Sequence, residues 1–459
     1  MTELVFDNAL IKKYDKSGPR YTSYPTAVQF SEIFGEEQYL EQVRLSNARN
    51  SPLSLYFHIP FCDTICFYCG CNKIVTKNRS HAQPYLDAVY KELELQGQLF
   101  KATRVVKQLH WGGGTPTFIS HEQMTELMLQ TRRHFTLLDD DSGEYSIELD
   151  PREVTTASVH LLRQLGFNRI SLGVQDFNPK VQKAVNRIQS YKETRDVILA
   201  ARKNNFHSIS VDLIYGLPFQ SVKSFDETLD KIIALEPDRL SIFNYAHLPD
   251  MFKTQRQINA EDLPSAEEKL AILHHTISKL IKTGYVYIGM DHFAKPDDEL
   301  AVAQAERKLY RNFQGYSTHS DCDLVALGIT SIGKVANSYS QNIKTIDEYT
   351  RVVDSGHIPV FRGIELSQDD LLRREIITQL ICHFELNFKN IEFEFAIRFS
   401  EYFSAELLRL AEMRNDGLLE LTENGIKVLP EGKLLIRNIC MVFDIYLSKI
   451  QGQRFSKVI

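Results

Sequence analysis

Nowhere in the 459 residues do eighteen apolar residues run together without charge, so no membrane-spanning helix is expected. Residues 1–16 lack the uninterrupted apolar core of a secretion signal, because Glu3, Asp7 and Asp15 are mixed with Lys12 and Lys13, and a cytoplasmic protein is expected. Basic excess is missing too. The formal net charge of -6 offers no footprint for nucleic acid. Solenoid repeats and low-complexity segments are absent, which excludes fibrous and disordered classes. What remains is a compact globular chain, long enough for roughly two to four domains at about 150 residues each.

Cysteine is sparse but unevenly placed. Of Cys62, Cys66, Cys69, Cys71, Cys322, Cys382 and Cys440, the first four fall within ten residues. That crowding makes a poor disulfide framework, and in a chain with no export signal it reads as metal binding or redox chemistry. The three scattered cysteines lie in apolar or helical surroundings and read as buried thiols.

Between residues 53 and about 293, short apolar runs alternate with longer amphipathic stretches, the pattern of strand-helix units around a parallel sheet. Strands are predicted at residues 54–58, 108–111, 145–149, 169–174, 208–214 and 239–245. Helical spacing lies between them: Leu86, Val89 and Leu93; Met124, Leu127 and Met128; Leu229, Ile232 and Ile233. Ser120 with Gln123 predicts a capping box for the second of these helices. The two flanks differ. Residues 1–50, with two prolines around Arg20 and no helical period, predict an extended arm. Residues 366–459 predict a small helical domain, with helices at 371–384, 404–414 and 434–447 and a hairpin at 418–428 around Asn424-Gly425, resembling a winged helix. The central 51–365 is the α/β domain.

In parallel α/β folds the loops after the C-terminal strand ends build the site, so unusual residues belong there if the chemistry is real. They are there. Directly after the first strand comes Cys62-Asp63-Thr64-Ile65-Cys66-Phe67-Tyr68-Cys69. Three thiolates suit soft iron, and a four-iron cluster on three cysteines leaves one iron open for another ligand. A structural zinc would want four closed ligands, with a second Cys or His pair elsewhere. Cys71 is open to three readings: a fourth ligand that closes the cluster into an electron-transfer centre, a separate substrate-side group, or an inert neighbour.

The second strand ends in His110-Trp111-Gly112-Gly113-Gly114-Thr115-Pro116. Its glycines expose bare backbone to a ligand, here the amino-acid end of a molecule on the open iron. Polar residues then recur near later strands: Glu148, Gln175, Arg187 and Asp212. Each would cost about 1–3 kcal/mol if buried unpaired, so the series points to a shared ligand pocket.

Taken with Pro19-Arg20-Tyr21-Thr22-Ser23-Tyr24-Pro25, Gly173-Val174-Gln175-Asp176-Phe177, Asn244-Tyr245-Ala246-His247, Gly289-Met290-Asp291-His292-Phe293 and Arg311-Asn312-Phe313-Gln314-Gly315-Tyr316, these motifs make the chain resemble, over nearly its full length, the oxygen-independent coproporphyrinogen III oxidases (coproporphyrinogen dehydrogenases) of haem biosynthesis, within the radical S-adenosylmethionine superfamily. The resemblance implies an incomplete (β/α)6 barrel of TIM type with an N-terminal arm and a helical C-terminal domain. It implies one 4Fe-4S cluster on Cys62, Cys66 and Cys69, and two molecules of S-adenosylmethionine. The first would chelate the open iron and touch Tyr56, Gly113, Glu148 and Ile332. The second would touch Tyr68, Gly114, Thr115, Gln175, Arg187, Asp212 and Ala246. It sets Cys71 apart from the cluster ligands.

The implied reaction begins with reductive cleavage of S-adenosylmethionine to a 5'-deoxyadenosyl radical, which takes hydrogen from a substrate propionate. Loss of CO2 and an electron leaves a vinyl group. Two rounds convert coproporphyrinogen III to protoporphyrinogen IX, drawing on a reducing electron donor and an electron acceptor that the sequence does not name. A monomer is expected. Four propionates call for cationic or hydroxyl contacts, and Arg20, Tyr21, Tyr24 and Arg311 are the candidates, with Cys71 as a further substrate-side residue. Around Gly328-Ile329-Thr330-Ser331-Ile332-Gly333-Lys334 the chain departs from the family pattern, and Lys334 brings a charge without an obvious place. A haem-binding chaperone relative that shares barrel and cluster is the competing reading, and Cys71 and the arm argue against it.

Overall fold

The computed structural model describes residues 4–447. The chain forms two compact units, each discontinuous in sequence: Phe30–Ile272 with Asp321–Glu365, and Met1–Gln29 with Leu273–Ser320 and Leu366–Ile459. Residues 30–50 and 273–320 are therefore grouped differently from a simple division at 50 and 365.

The first unit is built on a parallel sheet. Its strands are β1 (Leu53–Ile59), β2 (Val105–Gly113), β3 (Glu144–Leu149), β4 (Arg169–Gln175), β5 (Ser208–Tyr215) and β6 (Arg239–Asn244), paired in sequence order, β1 to β2 through to β6. These are the six strands that the apolar runs predict. A seventh, β7 (Asp323–Leu327), pairs parallel with the other edge of β1, and antiparallel β8 (Ile332–Val335), β9 (Ser338–Asn342) and β10 (Val360–Glu365) continue the sheet. The parallel run does not close on itself among the described residues, and the architecture is an incomplete (β/α) barrel.

Helices cover one face: α1 (Ala82–Leu99), α2 (His121–His134), α3 (Thr156–Gln164), α4 (Tyr191–Lys203) and α5 (Val222–Ile233) follow β1 to β5 in turn, apart from short segments. Ser120 and Gln123 form the reciprocal capping box at α2. The period-2 alternation is plain in β3 to β5. Tyr145, Ile147 and Leu149 are buried under the helices, whereas Ser146 and Glu148 face the half-buried inner side. Trp111 of β2 is wholly buried between the rings of Phe57 and Phe167, at centroid distances of 6.2 and 4.8 Å.

The expected extended arm is interrupted. Asn8–Lys13 is helical, capped by the Asp7 carboxylate, and Glu36–Arg49 is a helix of 14 residues. The buried stripe of that second helix is Tyr39, Gln42, Val43 and Ser46, so two polar residues conceal its period from a hydrophobicity reading.

In the second unit, the helices Gln368–His383 and Ser404–Asn415 lie close to the expected bounds, and the hairpin Leu419–Thr422/Gly425–Val428 turns at Asn424 with Glu385–Asn387 as third strand. The helix expected over 434–447 is confined to Ile436–Met441. Beyond it Asp444 accepts the N–H of Tyr446, a local bond that competes with a continuing helix, and the hydroxyl of Tyr21 from the arm.

Candidate active site

The segment from Cys62 to Cys71 leaves the C-terminal end of β1 and is pinned along its length. Phe67 N–H donates to Val185 O (3.0 Å), and Asn186 Nδ2 to Ile65 O (2.7 Å). Gln255 Nε2 donates to Tyr68 O (3.1 Å), Thr254 Oγ1 to Cys69 O (3.3 Å), and Lys73 Nζ to Cys69 O (3.0 Å). Phe67 and Tyr68 pack against Val181, Val185, Leu217, Tyr245 and Ile258. A loop held by so many bonds presents its sulfurs on a fixed frame.

Around those sulfurs the environment is cationic and donating. Arg187 Nη1 lies 3.5 Å and Arg152 Nη2 3.9 Å from Cys66 Sγ, and Thr115 Oγ1 lies 3.6 Å from Cys62 Sγ. Both arginines are fastened by Asp150, at 3.0 and 2.6 Å. Burial pushes the Asp150 carboxyl up, but the two guanidiniums overcome it and hold the group below its usual range. Burial pushes the Cys62 thiol up to about 11 against the pull of Thr115. Cys69 goes the other way, down to about 6, because the Cys71 thiol donates a hydrogen bond to it and Lys73 lies beside it. By the same bond Cys71 is pushed up. Cys71 is exposed, whereas Cys66 is buried.

Three thiols ringed by donors suit an anionic, thiolate-held iron-sulfur cluster. The neighbouring strand ends suit a polar organic ligand. At Gly113, with φ at +117°, an added Cβ would stand 2.8 Å from the His58 ring, and at Gly114 one would stand 2.6 Å from Phe61 O, so only glycine leaves this backbone open. Glu148 accepts from Gly113 N–H at 3.3 Å and sits 3.2 Å from His110 Nε2, while its side chain stays 47% exposed. Burial raises its carboxyl, but the His110 hydrogen bond and charge bring it below the usual range. His110 Nδ1 lies 2.6 Å from Ser146 Oγ, and its ring stacks on Tyr56. Tyr56 in turn reaches His58 Nδ1 at 3.2 Å.

Further along the strand ends, Gln175 Oε1, Arg187 Nε and Asn244 Oδ1 are buried polar atoms with no protein partner, the mark of groups that await a ligand. Gln175 also holds a positive φ of 69°. Burial raises Asp212 to about 6, and the Ser171 hydroxyl lies 3.3 Å from it. Ala246 and Ile332 are half-buried, the first just after β6 and the second opening β8. Lys334 pairs opposite Leu324 in β7, and its charge bears on Cys322 at the start of that strand, away from Leu327 at its C-terminal end. Sequence reasoning missed Asp150, Arg152, Lys73 and His58. The Asp150-Pro151-Arg152 run directly after β3 was the available signal.

The four arm and hairpin candidates lie in the second unit. Arg20 Nη1 pairs with Asp291 at 2.5 Å. Tyr21 is buried and donates to Asp444 at 3.0 Å, and Tyr24 accepts from Ile445 N–H at 3.3 Å, so both hydroxyls brace the arm. Arg311 stands on the hairpin Tyr310–Asn312/Gly315–Ser317 with its guanidinium 4.7 Å above the Tyr316 ring.

Residues 56–232 match the Radical SAM superfamily, and residues 366–435 match the HemN C-terminal domain. The oxygen-independent coproporphyrinogen III oxidase of Pseudomonas aeruginosa is 54% identical over 99% of both chains. The chain belongs to the oxygen-independent coproporphyrinogen III oxidase family. The enzyme of the same name from Escherichia coli is 50% identical, over 100% of this chain and 99% of its own. The solved coproporphyrinogen III oxidase from Escherichia coli, a radical SAM enzyme, superposes with a TM-score of 0.92 at 48% identity, covering 97% of this chain and 100% of that one. Membership carries with it one 4Fe-4S cluster and S-adenosylmethionine. No helix among the described residues is long and apolar enough to cross a membrane.

Proposed function

We propose that this chain converts two propionates of coproporphyrinogen III to vinyl groups without oxygen, giving protoporphyrinogen IX, with Cys62, Cys66 and Cys69 as the cluster ligands. When bound and reduced, the cluster supplies the electron that cleaves S-adenosylmethionine to methionine and a 5'-deoxyadenosyl radical. The observation that carries the reading is the juxtaposition of the donor-ringed Cys62–Cys69 loop with the bare backbone of Gly113 and Gly114 and the open carboxylate of Glu148.

The residues have distinct tasks. Tyr56, Gly113, Glu148 and Ile332 take the S-adenosylmethionine that reaches the cluster, with the Glu148 carboxylate matched to its ammonium group. Tyr68, Gly114, Thr115, Gln175, Arg187, Asp212 and Ala246 take a second molecule, a reading supported by the unpartnered atoms of Gln175 and Arg187. Arg187, tied to Asp150, also places positive charge beside Cys66. Arg20, Tyr21, Tyr24, Arg311 and the exposed Cys71 serve the substrate side. The enzyme works as a cytoplasmic monomer fed by a separate electron donor and relieved by a separate acceptor.

Anaerobic incubation of the reconstituted, reduced protein with S-adenosylmethionine and coproporphyrinogen III tests the reading. Divinyl product with methionine and 5'-deoxyadenosine supports it. Stable haem binding without turnover favours the chaperone reading, and a cluster whose electron paramagnetic resonance spectrum ignores S-adenosylmethionine would make it a closed electron carrier.

A further inference from the structure

Charge in the second unit is out of balance around one carboxylate. Asp291 pairs directly with Arg20 and lies in the field of Arg311, Arg437 and His292 as well. Burial raises its carboxyl, and these cations bring it below the usual range. Three permanently charged guanidiniums thus share one acid. The excess is felt by Arg437, which burial and the repulsion of Arg20 and Arg311 push down to about 10. Arg437 is 3% exposed and fastens the arm, donating Nε to Pro19 O (3.0 Å) and Nη2 to Gly18 O, directly before Arg20.

Arg311 is different. It is 7% exposed, and its Nε and Nη1 are buried donors with no partner in the protein. The guanidinium has the Tyr316 ring and the field of Asp291, but two buried donors without a hydrogen-bond partner are costly. The planar fork of arginine fits a carboxylate bidentately, which is the ligand chemistry that would relieve both the orphan donors and the surplus charge.

We propose that Arg311 is the point of contact for a propionate carboxylate of coproporphyrinogen, inside a cationic cradle whose charge is set by Arg20, Arg437 and Asp291. This rests on the substrate reading above and deepens it: the arginines recognise acid groups, whereas Tyr21 and Tyr24 hold the arm that carries Arg20. Two of the four propionates survive both rounds of decarboxylation, so a carboxylate site remains useful from substrate through to product.

Coproporphyrin III, the oxidised porphyrin with the same four propionates, serves as the binding probe, titrated anaerobically into the reconstituted holoprotein and followed by fluorescence anisotropy. Arg311→Gln is expected to raise its Kd on the order of 10- to 100-fold, the value of a charge-assisted pair. Arg311→Lys should recover part of that loss, and circular dichroism checks that both variants fold. The tetramethyl ester should bind the parent weakly and Arg311→Gln no worse than the parent. An unchanged Kd for the free acid in Arg311→Gln, or equal losses for acid and ester, would overturn the proposal. The carboxylate of S-adenosylmethionine is the other source of this chemistry. If Arg311→Gln abolishes the change that S-adenosylmethionine makes in the spectrum of the reduced cluster, yet leaves porphyrin binding intact, the cradle is not for propionate. Absence of that change in the parent protein would instead sink the function proposed above.

Discussion

Two carboxylates of the barrel unit, Glu92 and Glu148, both accept hydrogen bonds from protein groups, yet they serve opposite ends. Glu92 on α1 is fully buried and saturated: Gly328 N–H (2.7 Å) and the Tyr349 hydroxyl (2.5 Å) donate to one oxygen, and Asn342 Nδ2 (2.7 Å) to the other. Glu148 on β3 is half exposed and receives only long bonds, at 3.2 and 3.3 Å, which leave much of its acceptor capacity unused. A sealed carboxylate whose partners are all protein builds the fold. An open one with spare lone pairs is available to a ligand. The turn that Glu92 holds also reaches the site, because Tyr85 donates to His58 O (2.6 Å) and accepts from Ile329 N–H (3.2 Å), and Asn72 Nδ2 donates to Thr330 (3.2 Å).

The largest break in this comparison is Glu92→Ala. It strands three donors in a dry interior and opens a cavity, so a loss of about 3 kcal/mol is expected in denaturant unfolding, although alanine favours the helix itself. Next comes the pH dependence of Glu92. Burial raises its carboxyl to about 7 from the ordinary 4.5, so the folded state prefers the protonated acid. Its contribution is whole below about pH 4.5 and is lost as pH rises through 7, a swing of about 3 kcal/mol. Glu92→Gln cannot titrate. Measured by thermal melting, the advantage of the parent over Glu92→Gln should shrink from pH 5 to about pH 7 and then level off, and a constant difference from pH 5 to pH 8 would show that Glu92 stays ionised throughout.

Glu92 also marks where the sequence stops being legible. In Lys91-Glu92-Leu93-Glu94 it reads as one more solvated residue of an amphipathic helix, and only the approach of Gly328 and Tyr349, some 240 residues away, makes it a buried anchor. The six barrel strands were readable because buried parallel strands are short, nearly pure apolar runs, and Glu148, Gln175 and Asp212 stood out as polar breaks in or beside them. The cysteine spacing was equally local. By contrast, β8 and β9 were missed because Gly333, Lys334 and the polar Ser338–Asn342 carry little hydrophobic signal, while β7, an apolar Leu324-Val325-Ala326-Leu327 run, lay beyond the strand-helix alternation of residues 53–293. Asp291 and Arg437 are 146 positions apart, and no pattern within either segment announces that they share one electrostatic neighbourhood.

Glu148→Gln gives the smallest expected change in stability and the sharpest test of the open carboxylate. Its protein bonds are long and its side chain is already half in solvent, so the melting temperature should stay within the range of an ordinary surface substitution, about 0.5 kcal/mol. Its effect belongs to the ligand. Replacing the anion by a neutral amide removes a charge-assisted contact to the ammonium group of S-adenosylmethionine, worth roughly 1.5 kcal/mol or more, and affinity should fall about tenfold. Titrating S-adenosylmethionine against the spectrum of the reduced cluster measures this directly. If the variant melts several degrees lower and binds as tightly as the parent, Glu148 is a second Glu92, and the distinction drawn from exposure and bond length fails.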